Sequence, residues 1–120
     1  MMHRIHNVAA IIILSVLSVS CTGTASDYYT SGTGSATLTW NAPTQNSDDT
    51  DLEDLDRYVI YYGPVSGSLA YSVTVQDPSA TTYIVESLRV NISYMFAITA
   101  VNSNGVESDI SNMVIKLITE

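Results

Sequence analysis

The segment LRVNISYMFAITAVNSNGVES, residues 88–108, carries the densest pattern in the chain. Tyr94, Phe96, Ile98 and Ala100 recur at every second position, and the turn sequence NSNG ends the run at 102–105. A period of two puts those side chains on one face of an extended strand. Outward from this segment the same grammar repeats. ATLTW (36–40) places Ala36, Leu38 and Trp40 on one face before NAP closes it, and RYVIYYG (57–63) separates Tyr58, Ile60 and Tyr62 from Val59 and Tyr61. YSVTVQDP (71–78) ends in Asp-Pro, and TTYIVESL (81–88) alternates Tyr83 with Val85 before reaching Leu88. The last run, NMVIKLI (112–118), reads two ways: Met113, Ile115 and Leu117 form one apolar set, while Val114 and Ile118 compete for the inside. Short alternating runs between turns predict an all-β fold, a seven-stranded β-sandwich; a short first strand at Tyr28 and Tyr29 along the domain edge is the alternative to reading those two residues as tether. No amphipathic helical pattern follows the first twenty residues.

The chain has 120 residues, enough for one domain with a modest core. It carries 4 Lys and Arg against 12 Asp and Glu, a formal net charge of -8. Such a balance argues against nucleic acid as a partner, because phosphate backbones are bound by clustered cations. Both histidines, His3 and His6, fall in the first six residues, and Cys21 is the single cysteine. The rest of the chain therefore lacks the parts of a zinc site, a nucleophilic triad or a histidine acid–base pair. No cofactor is expected, and the chain is not expected to be an enzyme.

At the amino terminus Arg4 precedes an apolar run of 12 residues, Val8 to Val19. A bilayer-spanning helix needs about 20 apolar residues and a signal-peptide core about 7 to 15, so the run fits a cleavable signal helix over 1–20. The small residues that follow, SVSCTGT at 18–24, resemble the cleavage box of a bacterial lipoprotein signal. In that family the leader is cut before a cysteine carrying a diacylglyceryl group, which is Cys21 here. Val19 and Ser20 match the box, whereas Ser18 stands where the family has leucine. An ordinary secretory signal and a short retained anchor remain the alternatives. The resemblance implies an exported chain held by a lipid on Cys21 in a bacterial envelope, at the outer membrane or cell surface, or secreted if Cys21 is not lipidated. Removal of residues 1–20 would take Arg4 away and leave three cations against 12 carboxylates, a charge of -9. A lone exported cysteine makes no internal disulfide. Residues 21–34, rich in Gly, Ser and Thr, read as a flexible tether.

SATLTWNAP (35–43), DLDRYVIYYG (54–63) and the 88–108 segment together resemble a bacterial fibronectin type III domain over residues 35–118. The family frame is a leucine, a Pro-Gly turn, a tyrosine six residues after the leucine, and an Ala-Val-Asn ending. Leu88, Tyr94, Phe96, Ile98, Ala100, Val101 and Asn102 fall on it, with Val90 and Asn91 replacing Pro and Gly. Asn tolerates a left-handed backbone, so Asn91 reads as a turn residue although NIS at 91–93 is formally a glycosylation acceptor. The resemblance implies an immunoglobulin-like sandwich with Trp40 between its sheets, Leu88 in the core, and Tyr94 as a tyrosine corner bonded to the chain a few residues upstream. It also implies a binding or structural module with an unknown protein or glycan partner.

Two surface features stand out. Tyr61 with Tyr71, joined by Tyr28 and Tyr29, would form an exposed aromatic patch suited to a protein interface or sugar stacking; the edge of the last strand is a second candidate face. The acidic stretch SDDTDLEDLD (47–56) offers Asp48, Asp49 and Asp51 as ligands of a weak cation site, although the glycine and fixed spacing of calcium loops are missing. The plainer reading is a solvated acidic loop with Leu52 and Leu55 tucked onto the core.

Overall fold

A computed structural model describes residues 13–15 and 32–119. Six strands follow Gly32: β2 (Thr33–Thr39), β3 (Leu55–Pro64), β4 (Tyr71–Val75), β5 (Thr82–Arg89), β6 (Ser93–Asn102) and β7 (Val114–Leu117); a three-residue strand, β1 (Ile13–Ser15), precedes them. They form two antiparallel sheets, ordered β1-β2-β5 and β4-β3-β6-β7. The expected first strand around Tyr28 and Tyr29 lies outside the described residues, so the domain proper shows six strands. β2 starts at Thr33, two residues ahead of the expected boundary at 35.

The core lies between the sheets and is filled by the alternating residues of the sequence pattern. Leu38, Trp40 and Val85 from one sheet meet Tyr58, Ile60, Phe96 and Ile98 from the other. Tyr58, Ile60, Phe96 and Ile98 are fully buried. Leu52 and Leu55, flanking the acidic loop, pack against this cluster. Two irregularities shape the sheets. Between Gly34 and Ala36 the β2–β5 register shifts so that Glu86 and Ser87 oppose one β2 residue, a bulge in which Ser87 takes a φ of 60°. A second shift between Leu55 and Arg57 inserts Asp56 into β3. The turn from β5 to β6 places Asn91 at a φ of 63°, the conformation for which Asn substitutes best for glycine. At Gly63 the β3–β4 connection folds back so closely that a Cβ would collide with the carbonyl of Ser68.

At Ile13–Ser15 the structure has a strand where a signal helix is expected; it pairs antiparallel with Thr37–Thr39. The physical reason is the edge of β2, whose unpaired backbone groups accept an extended segment. The remainder of the leader and Cys21 lie outside the described residues. Among the described residues no helix is long and apolar enough to cross a membrane.

The last strand settles the two readings of NMVIKLI. Register pairs Lys116 with Tyr94 and Val114 with Phe96, so the inward set is Val114, Lys116 and Ile118. Ile118 is fully buried, and Met113, Ile115 and Leu117 face out.

Candidate interaction surface

β3 and β6 each turn one face to the core; the opposite face is partly exposed along β3, whereas on β6 it is covered at Ala97 and Thr99. The outward face of the four-stranded sheet carries Val59 and Tyr61 from β3 and Met95, Ala97 and Thr99 from β6. Glu107 is folded over this face. Its Oε1 accepts hydrogen bonds from the Tyr61 hydroxyl at 2.5 Å and the Thr99 hydroxyl at 2.6 Å. That bond to the carboxylate holds the Tyr61 phenol above its ordinary pKa, with desolvation adding to it, because the phenolate would lose the bond and repel the carboxylate.

Around Glu107 the 103–112 segment is tied to β6 by serines. Ser108 Oγ accepts the Ala100 N–H and Ser111 Oγ accepts the Ile98 N–H, both at 2.9 Å. The backbone N–H groups of Ser108 and Ser111 return bonds to the carbonyls of Ala100 and Ile98. These bonds cover the stretch of β6 that β7 does not reach. Asn102 Oδ1 closes the turn by accepting the N–H groups of Asn104 and Val106.

Tyr71 is not beside Tyr61. It pairs with Tyr62, while Tyr61 pairs with Ser72, so the two tyrosines lie on opposite faces of the sheet. Tyr71 is 55% exposed and packs against Tyr62 with ring centroids 5.5 Å apart and the rings tilted by 33°. The expected joint patch fails because Tyr61 and Tyr71 differ in strand parity, which the sequence reveals only once the register is known. Tyr28 and Tyr29 lie outside the described residues.

The acidic loop does not gather a cation site. The Asp48 carboxylate accepts the backbone N–H and the hydroxyl of Thr50. Asn46 Nδ2 donates to Thr50 Oγ1 and to the Asp51 carbonyl. Asp49 sits at the left-handed turn with a φ of 67°. The Asp48 carboxylate is thus engaged within the loop, and among the described residues no three metal-ligating side chains converge.

The remaining singled-out residues serve the fold. Trp40 is 3% exposed and packs on Tyr58 with centroids 5.2 Å apart. Leu88 is buried in the core. Tyr94 Oη accepts the Arg89 N–H at 3.2 Å, joining the end of β5 to β6. Trp40 Nε1 and Tyr58 Oη are buried with no hydrogen-bond partner. Burial pushes the Tyr58 phenol above its usual pKa; the adjacent indole pulls the other way, although no hydrogen bond of ordinary geometry joins the two.

Sequence reading missed Glu107 as an organising carboxylate and Lys116 as an inward side chain. The family model of the fibronectin type III domain matches residues 28–115. The chain belongs to the fibronectin type III family. Members are in general non-catalytic binding or structural modules. Solved structures similar to this fibronectin type III chain include the FN1–FN3 domains of chicken CNTN1, at 18% identity and a TM-score of 0.58, covering 72% of this chain and 28% of that one. The fn3 domain of human collagen alpha-1(XX) aligns at 20% identity and a TM-score of 0.55, covering 72% of each chain. A chain described as a myokine aligns at 15% identity and a TM-score of 0.56, covering 72% of this chain and 84% of that one. At these identities the likeness concerns the fold. No curated protein matches the chain.

Proposed function

We propose that this chain is an envelope-anchored, non-catalytic interaction module. A lipid on Cys21 holds it to a bacterial membrane, the residues between Cys21 and β2 act as the tether, and one fibronectin type III domain, with β2 starting at Thr33, is displayed outside the cytoplasm. The observation that carries the interaction reading is the outward side of β7 with the residue just before it: Met113, Ile115 and Leu117 are each more than half exposed. Single exposed apolar residues are ordinary, but a contiguous set marks a contact surface. The short apolar core of the leader and the small residues around Cys21 support the anchor.

A carbohydrate-associated accessory role is the second reading, favoured by the exposed Tyr71 ring supported by Tyr62, a surface on which a sugar face can pack. A passive spacer of the envelope is the third.

Mass spectrometry of the mature amino terminus tests the anchor: a diacylated or triacylated Cys21 is expected, and a cut elsewhere with an unmodified thiol overturns it. Cross-linking in the native envelope and a glycan array separate the roles. A saturable protein partner is the expected result. Glycan binding abolished by Tyr71→Ala would replace it with the accessory role, and neither partner would leave the spacer.

A further inference from the structure

The two outward positions of β7 are apolar and open, Ile115 at 63% and Leu117 at 52% exposed, and Met113, immediately before the strand, is 55% exposed. Register sets Ile115 opposite Met95, which is half-buried on the same face, and Leu117 opposite Ser93. The strip is therefore two strands wide at its centre and holds no charge. β7 is the last strand of its sheet. Edge strands are commonly protected from stray pairing by a charge pointing inward, and Lys116 is such a residue. It faces Tyr94, is 9% exposed, and its ammonium is held below the usual lysine pKa by desolvation. Among the described residues it forms no ion pair. A further strand laid on this edge would bury that ammonium more deeply, which is costly without a carboxylate opposite. The occupant is therefore not an added strand, and it contacts the face of the sheet rather than its edge.

Charge narrows the occupant further. The chain carries a net -8, and the described residues hold three cations, Arg57, Arg89 and Lys116, against ten carboxylates. Arg57 is paired with Asp56 at 2.7 Å, and Lys116 is turned inward. A second copy would bring two strongly acidic surfaces together. Glu107 stands on the same face above Thr99, about 14 Å along β6 from Met95 at the ordinary strand rise, and exposed Asp109 follows it two residues later. Resting on the interaction reading above, we propose that Met95, Met113, Ile115 and Leu117 dock the apolar side of a cationic amphipathic segment of a partner protein, whose lysines or arginines meet Glu107 and Asp109. Aliphatic burial would supply the affinity, and complementary charge the orientation and approach rate.

Three synthetic peptides of equal length test this on the chain as purified. One has leucines at helical spacing among lysines, one the same leucines among glutamates, and one serines among lysines. Saturable binding of the leucine–lysine peptide is expected, with both others weaker by about tenfold or more. Ile115→Thr combined with Leu117→Thr keeps β-forming side chains on the strand and should weaken the leucine–lysine peptide about tenfold at unchanged melting temperature. Ile84→Thr, at an exposed position on the other sheet, should leave binding as it was. Equal binding of the serine–lysine peptide, indifference to the double substitution, or a concentration-dependent dimer abolished by it would each overturn the proposal. The two readings fail separately. If no leucine–lysine peptide binds while a saturable partner is still cross-linked in the envelope, this surface is wrong and the interaction module stands; if the peptide binds and the envelope yields no partner, the module reading falls and the surface remains.

Discussion

Tyr94 and Tyr58 are both buried tyrosines, yet their hydroxyls contribute in opposite directions. Tyr94 Oη accepts the Arg89 N–H at 3.2 Å, so Tyr94→Phe leaves a backbone donor without its partner and should cost about 1 kcal/mol. For a domain of this size that lowers the melting temperature by roughly 4–8 °C, measurable by thermal denaturation; an unchanged transition would show that the bond contributes nothing. Tyr58 Oη has no partner, so Tyr58→Phe removes an unsatisfied buried group and should leave stability equal or raise it by up to about 1 kcal/mol. Alternation does not tell the two tyrosines apart, because each alternates correctly with its neighbours; the family resemblance does, since its frame marks Tyr94, six residues after Leu88, as the one whose hydroxyl meets the chain upstream. Alkaline pH gives a second test of Tyr58. Tyr58 is raised above 10.0 by burial, so the folded state keeps its proton where the unfolded state releases it. Stability is then full below pH 10 and falls as pH rises toward the folded value. Tyr58→Phe should flatten that decline. An alkaline loss of stability as steep in the variant as in the wild type would assign it to Tyr61 instead.

At the scale of elements, β3 was legible because it has one wetter and one dry face, and alternation is strongest under that condition; β6 was legible because Tyr94, Phe96, Ile98 and Ala100 keep the period of two, although Phe96 to Asn102 are buried on both faces. β7 was not. An edge strand carries apolar residues on both faces here, and its charged residue points inward, so hydropathy gives no parity; register with β6 does. The β5 bulge was equally hidden, since Ser87 is unremarkable in sequence but stands at a φ of 60°. A non-glycine residue there costs roughly 1–2 kcal/mol relative to its favoured conformations. Ser87→Gly should therefore raise stability by about 0.5–1 kcal/mol after the entropy glycine loses on folding, while Ser87→Val should lower it; a denaturant midpoint that moves down for glycine would exclude strain at the bulge. The 103–112 segment is a third element unreadable from pattern, because its pairing with β6 runs through the Ser108 and Ser111 hydroxyls rather than a regular ladder. Its carboxylate gives a direct handle. With Glu107→Ala, Tyr61 should lose the main cause of its raised pKa, and ultraviolet titration of the phenolates should show one tyrosine ionising earlier. If the titration curve is superimposable on that of the wild type, the hydrogen bond does not persist in solution.

For the whole molecule, the dominant electrostatic term is self-repulsion. The sequence carries -8, and the ion pair formed among the described residues, Arg57 with Asp56, is partly exposed on both sides at 31% and 42%. An exposed pair is worth about 0–1 kcal/mol and is weakened by salt. Repulsion among carboxylates is weakened by salt as well, and here the carboxylates outnumber the cations several-fold. Raising ionic strength from about 0.01 M to about 0.1 M shortens the Debye length from roughly 30 Å to roughly 10 Å, less than the spread of charge over the domain, and should screen the many repulsive pairs more than the single attractive one. The melting temperature should therefore rise with salt over that range, and Arg57→Gln should make the rise slightly steeper by removing the opposing contribution. The same salt should weaken a cationic partner held at Glu107 and Asp109. Stability and partner affinity are thus expected to move in opposite directions along one titration. A melting temperature that falls with salt would mean that attractive pairs, not net charge, govern this fold.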